Sequence, residues 1–253
     1  MTTQHENAVP PIDDWNRLLE GRVAIVTGGG AGIGGAISRL FARHGAKVEI
    51  AEIDPERGRT AVEEIEAAGG LARAHVVDVR VPEDVERLKT EVLDHHGGVV
   101  DVLVNNVGDY RPLAPFRRSS PETWDAMIQI NFLHVVRVTH AFLDAMIDSG
   151  GGSIVNLHSV EGMRGYPGEP VYASMKAAVA QFTTCLAVDQ GRHGVRVNGI
   201  GPDLCQTPQV DYRTGWEEHE DLWPSWAPVG RLGWPEEQAR VALFLASDLS
   251  SYM

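Results

Sequence analysis

Sulfur is scarce in this chain: two cysteines, Cys185 and Cys205, in 253 residues. Two thiols at that spacing make neither a disulfide framework nor a metal-ligand motif, and they suit a reducing compartment. Basic residues are also few. The 22 lysines and arginines stand against 35 aspartates and glutamates, a formal charge of -13, which repels a phosphate backbone and excludes nucleic acid as an expected partner. No apolar run nears the roughly 18 to 20 residues of a membrane helix, so no membrane partner is expected. The opening segment, MTTQHENAVPPIDDWNRLLEG, lacks the basic flank and apolar stretch of a secretory leader, which makes the cytoplasm the expected location. Internal repeats, low-complexity linkers and composition breaks are missing too. At this length one large core is enough. The expectation is a single domain over residues 21–253, preceded by an N-terminal arm at 1–20 anchored by Trp15 and Leu18.

What the chain does contain is a repeating order of elements. Short apolar runs predict strands at 22–27 (RVAIVT), 47–52 (KVEIAE), 72–77 (ARAHVV), 100–104 (VDVLV), 152–158 (GSIVNLH) and 194–200 (GVRVNGI). Helical periodicity lies between them, as in Ile33–His44. Strands apolar on both faces alternating with helices make a Rossmann-like, doubly wound parallel sheet in three αβα layers. Ligands of such a sheet bind beyond the carboxyl ends of the strands. The stretch 203–235, with Trp216, Trp223, Trp226 and Trp234 among acids and prolines, reads as a substrate lid; an aromatic subunit contact is the alternative.

Thr27-Gly28-Gly29-Gly30-Ala31-Gly32-Ile33-Gly34 follows the first strand and opens the first helix. Glycines there let the backbone approach a pyrophosphate held at the helix N-terminus. The second strand ends in Ala51-Glu52-Ile53-Asp54, about where a dinucleotide's ribose hydroxyls arrive. Glu52 is the first candidate to accept from those hydroxyls, and Asp54 competes. A carboxylate repels a 2′-phosphate, and no basic residue replaces Ala31 to neutralise one, so NAD is expected over NADP.

With Tyr172-Ala-Ser-Met-Lys176 added, the chain resembles the short-chain dehydrogenase/reductase family along nearly its whole length. Thr27-Gly28 with Gly32 and Gly34 is similar to that family's TGxxxGxG loop, Asp78 to its adenine-contacting acid, and Asn105-Asn106-Val107-Gly108 to its NNAG segment. Pro202 through Thr207 resembles its PGxxxT segment, and Gly230–Gly233 with Pro235-Glu236-Glu237 the entry to its final helix. The resemblance implies a catalytic tetrad of Asn131, Ser159, Tyr172 and Lys176. It implies cofactor contacts from Gly28, Gly32, Ile33, Gly34, Glu52, Ile53, Asp78, Val79, Asn105, Tyr172, Lys176, Pro202 and Thr207, and a homotetramer. Three departures stand out. Val107 replaces an alanine and Asp203 a glycine after Pro202, setting a carboxylate near the expected nicotinamide. The sequence reaches Ser250-Ser251-Tyr252-Met253 where the family continues into a seventh strand, so six strands are expected.

The chemistry suits these residues. Moving a hydride to or from a carbonyl carbon needs a proton at the oxygen, and a free phenol is a poor match to neutral pH. Tyr172 and Lys176, four apart on a predicted helix, share a face, and a lysine charge about 6 Å away is worth roughly 2 to 3 kcal/mol to the phenolate at an effective dielectric near 20. Ser159 would orient the substrate oxygen. By resemblance, Asn131 links Lys176 to solvent through a water. His158 reads as a packed neighbour, and no grouping of His, Cys and carboxylates suggests a catalytic metal. The expected activity is hydride transfer between NAD(H) and a secondary alcohol or ketone, with polyol, steroid-like and 3-hydroxyacyl substrates all open. The alternatives are an NADPH-dependent 3-oxoacyl reductase and a catalytically silent dinucleotide sensor.

Overall fold

The computed structural model describes residues 12–112, 114–165, 167–168, 170–209 and 227–253. Within them, β1 (Val23–Thr27) leads into α1 (Gly32–Arg43), β2 (Lys47–Glu52) into α2 (Pro55–Ala67) and β3 (Leu71–Val76) into α3 (Pro82–His96). After β4 (Val102–Asn105) come α4 (Pro121–Ile128), a π-helical stretch (Gln129–Leu133) and α5 (His134–Asp148). β5 (Gly152–Leu157) precedes α6 (Pro170–Gln190); β6 (Val195–Ile200) precedes α7 (Pro235–Ala246). The six strands are parallel, in the order β3-β2-β1-β4-β5-β6. The order reverses between β1 and β4, and a crevice opens at that switch point beyond the strand ends.

The strand sequences explain the layers. β1 and β4 are buried at every position, and alternate residues feed opposite cores. Ala24 and Val26 pack with Ile37 and Phe41 of α1 and Leu243 of α7; Ile25 and Leu103 pack with Leu88 of α3 and Phe142 of α5. Arg196 on β6 gathers the C-terminal end of α7, donating to the carbonyls of Leu245 at 2.8 Å, Ser247 at 3.1 Å and Ser250 at 3.1 Å. The Leu245 carbonyl belongs to the last turn of α7, where carbonyls lack intrahelical partners; Ser247 and Ser250 lie in the turn that follows.

Two expectations are corrected. Residues 1–11 of the arm lie outside the described residues; in the rest, Leu19 is 1% exposed and its amide donates to the His44 carbonyl at 2.9 Å, while Trp15 is 67% exposed. Leu18 does pack against the core. Two helical stretches, Pro121–Asp148 and Pro170–His193, are also long and apolar enough by composition to cross a membrane. In the fold they flank a sheet, the first with 44% of its apolar window buried and the second with 17%.

Away from the crevice, the Glu49 carboxylate on β2 lies buried between two imidazoles. His75 Nε2 on β3 is 2.6 Å from one oxygen and His96 Nε2 at the end of α3 is 2.6 Å from the other; His75 Nδ1 meets Glu91 at 2.7 Å. Burial alone would raise the Glu49 carboxyl, but the bonds and charge of His75 and His96 outweigh it and leave it below its ordinary 4.5. Burial likewise disfavours charge on His75, yet Glu49 and Glu91 raise it above 6.5. The Glu49 contribution is therefore present above pH 4.5 and lost as pH falls through its depressed value. The His75 contribution is full below pH 6.5 and lost as pH rises through its raised value. His75→Gln should lower the melting temperature by several degrees, from a loss of about 1 to 3 kcal/mol. That deficit should be largest between pH 4.5 and 6.5 and shrink by pH 9. A deficit constant with pH in thermal melts would remove the ion-pair account.

Candidate active site

Each strand of the sheet delivers a candidate residue at its carboxyl end: Gly28 after β1, Glu52 closing β2, Asp78 after β3, Asn106 after β4, Ser159 after β5 and Pro202 after β6. They line a cavity of about 680 Å³, within the range usual for small-molecule sites. Gly28 and Gly32 in the first loop have φ of +63° and +56°. A Cβ on Gly34 would collide with the Gly28 carbonyl, so Gly34 acts by letting α1 press against the loop and is not part of the cavity wall. The N-cap of α1, Ala31, offers no side-chain cap, and the first turn carries no acid. Free amide donors and the positive end of the helix dipole thus face the cleft, as a pyrophosphate requires. Thr27 Oγ1 accepts from the Asn106 amide at 2.9 Å and ties the ends of β1 and β4 together.

The two acids at the second strand end are placed differently. Glu52 lines the cleft and accepts from the amides of Gly30 and Asp54, both at 3.2 Å. Asp54 is occupied as the N-cap of α2, accepting from the amides of Glu56 at 3.0 Å and Arg57 at 3.3 Å. Ile53, Asp78 and Val79 continue the same wall. The Asp78 carboxyl is held below its usual range chiefly by its bond from Arg80.

Tyr172 and Lys176 lie one turn apart on α6, with the ammonium nitrogen 5.8 Å from the centre of the phenol ring. Lys176 is fully enclosed, and its Nζ donates to the Leu157 carbonyl at 3.0 Å. Burial brings its pKa down to about 8, so it keeps its charge near neutrality. Asn131 sits in the π-helical stretch, a local widening often found at functional sites. Its side chain is buried and clasps the backbone of Asp109, Oδ1 accepting from N at 3.0 Å and Nδ2 donating to O at 2.8 Å. Between it and Lys176 is Gly108, where a Cβ would lie 2.7 Å from Lys176 Nζ and 3.1 Å from Asn131 Oδ1. Ser159 lines the cavity beside Tyr172; its hydroxyl donates to Glu161 and accepts from the Glu161 amide at 3.3 Å.

Other residues depart from the sequence reading. Asn105 is turned into the core, its Nδ2 donating to Thr139 Oγ1 at 3.0 Å and Asn156 Oδ1 at 2.9 Å. The cleft wall is built by Asn106, Val107 and Gly108 instead: one step along a strand reverses the face. Asp203 accepts from Arg164 at 3.0 Å, and Arg164 also reaches Glu161 at 3.2 Å. Of the expected lid, residues 210–226, with Trp216 and Trp223 and Trp226, lie outside the described residues; Asp203, Thr207 and Gln209 line the cavity. Arg57, Glu161 and Arg164 were not singled out from sequence, although Glu161 stands only two residues from Ser159. His158 packs between Gly199 and Gly201, and burial lowers its pKa. Among the described residues, metal-ligating side chains do gather at Glu49, His95 and His96, but none of the three lines this cavity.

The family profile described as enoyl-(acyl carrier protein) reductase matches residues 28–253. The chain is 38% identical over 240 residues to the 3-oxoacyl-[acyl-carrier-protein] reductase FabG of Chlamydia muridarum (strain MoPn / Nigg), covering 94% of this chain and 95% of that protein. It is 39% identical over 235 residues to the protein of the same name from Thermotoga maritima, covering 93% and 94%. Among solved structures, a 7 alpha-hydroxysteroid dehydrogenase complexed with NADH and 7-oxo glycochenodeoxycholic acid matches with a TM-score of 0.86 at 31% identity, covering 94% of this chain and 92% of that one. A 3-oxoacyl group and a bile acid are thus both named for proteins with this frame. The frame therefore does not choose the substrate.

Proposed function

The chain belongs to the short-chain dehydrogenase/reductase family, and from that premise we propose that it moves a hydride between NAD(H) and a secondary alcohol or ketone, with Tyr172 carrying the proton. It is an oxidoreductase of CH–OH or keto groups that uses a nicotinamide dinucleotide and a small-molecule substrate. The bound dinucleotide supplies or accepts the hydride. The observation that carries the assignment of Tyr172 is its pairing with a buried, positively charged Lys176 at 5.8 Å. In oxidation the phenolate takes the alcohol proton; in reduction the phenol returns it to the carbonyl oxygen. Lys176 spends one donor on Leu157 and has others to offer ribose hydroxyls. Ser159 donates to the reacting oxygen and fixes its position, while Asn131 holds the loop at Gly108 and Asp109 against Lys176. The uncapped start of α1 and the glycine loop receive the pyrophosphate, and Glu52 accepts from the adenosine ribose. Following absorbance at the reduced nicotinamide band over a panel of secondary alcohols and ketones tests the reading. Dinucleotide binding with no turnover of any member would favour the sensor instead.

A second reading, an NADPH-dependent 3-oxoacyl reductase, draws on the named activity of the relatives and on Arg57, a cation in the cleft wall. Glu52 opposes it. We also propose a homo-oligomer, a tetramer by family likeness, because the apolar α6 region is so lightly covered within one chain. Sedimentation as a monomer at micromolar concentration would remove that proposal. Cys185 and Cys205 are unpaired, which suits the reducing cytoplasm as the proposed location; fractionation of the native protein with an oxidising compartment would overturn it.

A further inference from the structure

We propose that Glu161 is a specificity-determining residue and that the substrate is a vicinal diol or the matching α-hydroxyketone. The inference rests on the proposed function and deepens it. Glu161 belongs to the short 3-10 turn Val160–Gly162 that follows Ser159. That turn is pinned to α6: a Cβ on Gly162 would lie 2.7 Å from the Ala177 amide nitrogen and the Lys176 carbonyl carbon. Glu161 is therefore fixed relative to Tyr172. One carboxylate oxygen accepts the Ser159 hydroxyl; the other accepts from Arg164 at 3.2 Å, which also donates to Asp203 at 3.0 Å. Only 15% of the Glu161 side chain is exposed, and it lines the cavity with Ser159, Tyr172 and Asp203.

Consider where the reacting oxygen must sit. It lies within hydrogen-bond reach of both Ser159 Oγ and Tyr172, about 2.7 Å from each. The Glu161 oxygen bonded to Ser159 is then about 5 Å or less from it. In a gauche vicinal diol the second oxygen is roughly 3 Å from the first, so a hydroxyl on the neighbouring carbon spans that gap and donates to Glu161. It thereby takes over the acceptor that Ser159 was using, and the Ser159 hydroxyl turns to donate to the reacting oxygen. A simple secondary alcohol leaves Glu161 competing for the Ser159 proton. A substrate with a carbonyl acceptor at that point sets acceptor against acceptor, which excludes it by repulsion. Oxidation then breaks the carbinol C–H bond, with hydride going to the oxidised dinucleotide, and the O–H bond, with the proton going to Tyr172. The product is an α-hydroxyketone, its second hydroxyl unchanged.

Matched pairs test this: butane-2,3-diol with butan-2-ol, cyclohexane-1,2-diol with cyclohexanol, and 1-phenylpropane-1,2-diol with 1-phenylpropan-2-ol, each oxidised by the full chain with NAD+ and with NADP+. The expected wild-type kcat/KM ratio of diol to mono-ol is about 30-fold or more in at least one pair, since the analogue leaves polar groups unpaired. Glu161→Ala should bring that ratio below about 3-fold, and Glu161→Gln, which keeps the shape and removes the charge, should lie between. Should Glu161→Ala fail to fold by circular dichroism, Glu161→Gln carries the comparison. A ratio near one in wild type for every pair overturns the inference and leaves the proposed function standing, as does a diol preference that survives both substitutions. Dinucleotide binding without turnover of any alcohol or ketone overturns both.

Discussion

Tyr172→Phe should lower turnover by about 1000-fold in both directions while dinucleotide affinity stays within about 3-fold of wild type. The substitution removes one oxygen and leaves the ring, its edge contact with Tyr110 at 6.2 Å and the face it presents to Lys176. What it deletes is the group that, in the proposed mechanism, exchanges a proton with the substrate. The Lys176 charge 5.8 Å from the ring lowers the cost of the phenolate by about 2 to 3 kcal/mol. That gain depends on Lys176 remaining ionised, and burial has already brought its pKa to about 8. Measuring kcat by absorbance and Kd by NADH fluorescence separates chemistry from binding. Equal loss of both would mean that the ring oxygen holds the cofactor and not the proton; unchanged kcat would remove Tyr172 from the mechanism.

How far such residues can be read from a linear sequence depends on whether their spacing is local. Tyr172 and Lys176 are four apart on one helix, so periodicity alone sets them on one face, and the glycine loop announces itself because strand, turn and helix follow without interruption. The strand spans followed for the same reason: β1 and β4 are apolar on both faces, and only their ends moved, β3 closing at Val76 and β4 opening at Val102. The sheet order was less accessible. β1 lies beside β4 although their partners Ile25 and Leu103 are far apart in the chain, a pairing carried by packing and not by any local signal.

The misread residues share a physical cause. Asn105 and Asn106 look equivalent in a motif, yet strand alternation sends the first to Thr139 and Asn156 in the core and the second to the glycine loop. Asp54 and Glu52 carry the same charge near the same strand end, and only the start of α2 reveals that Asp54 is consumed as its cap. Arg164 reaches Asp203 from another strand's loop, a contact that depends on where β5 and β6 end side by side. Glu161 was legible in position but not in role, because its bond to the Ser159 hydroxyl appears only once the turn is folded.

The same distinction between charge and place governs the choice of cofactor. Wild type should favour NADH over NADPH by about 100-fold or more in kcat/KM, and Glu52→Gln should cut that preference at least about 10-fold. Glu52 is nearly enclosed, with one oxygen on the Gly30 amide and the other on the Asp54 amide. It therefore cannot swing away when a 2′-phosphate arrives. Two negative charges about 4 Å apart repel by about 4 kcal/mol at an effective dielectric near 20. Arg57 recovers part of this, since it lines the same wall, but its guanidinium is partnered with Asp54 at 3.3 Å and largely exposed. Glutamine keeps the carbonyl acceptor that a ribose hydroxyl needs and drops the charge, so NADH should lose little while NADPH gains. Arg57→Ala should move the ratio the other way, weakening NADPH by a few-fold through loss of a screened, exposed charge. A wild-type preference for NADPH of about 50-fold would mean that Arg57, not Glu52, reads the ribose, and the assignment to NAD would fall with it.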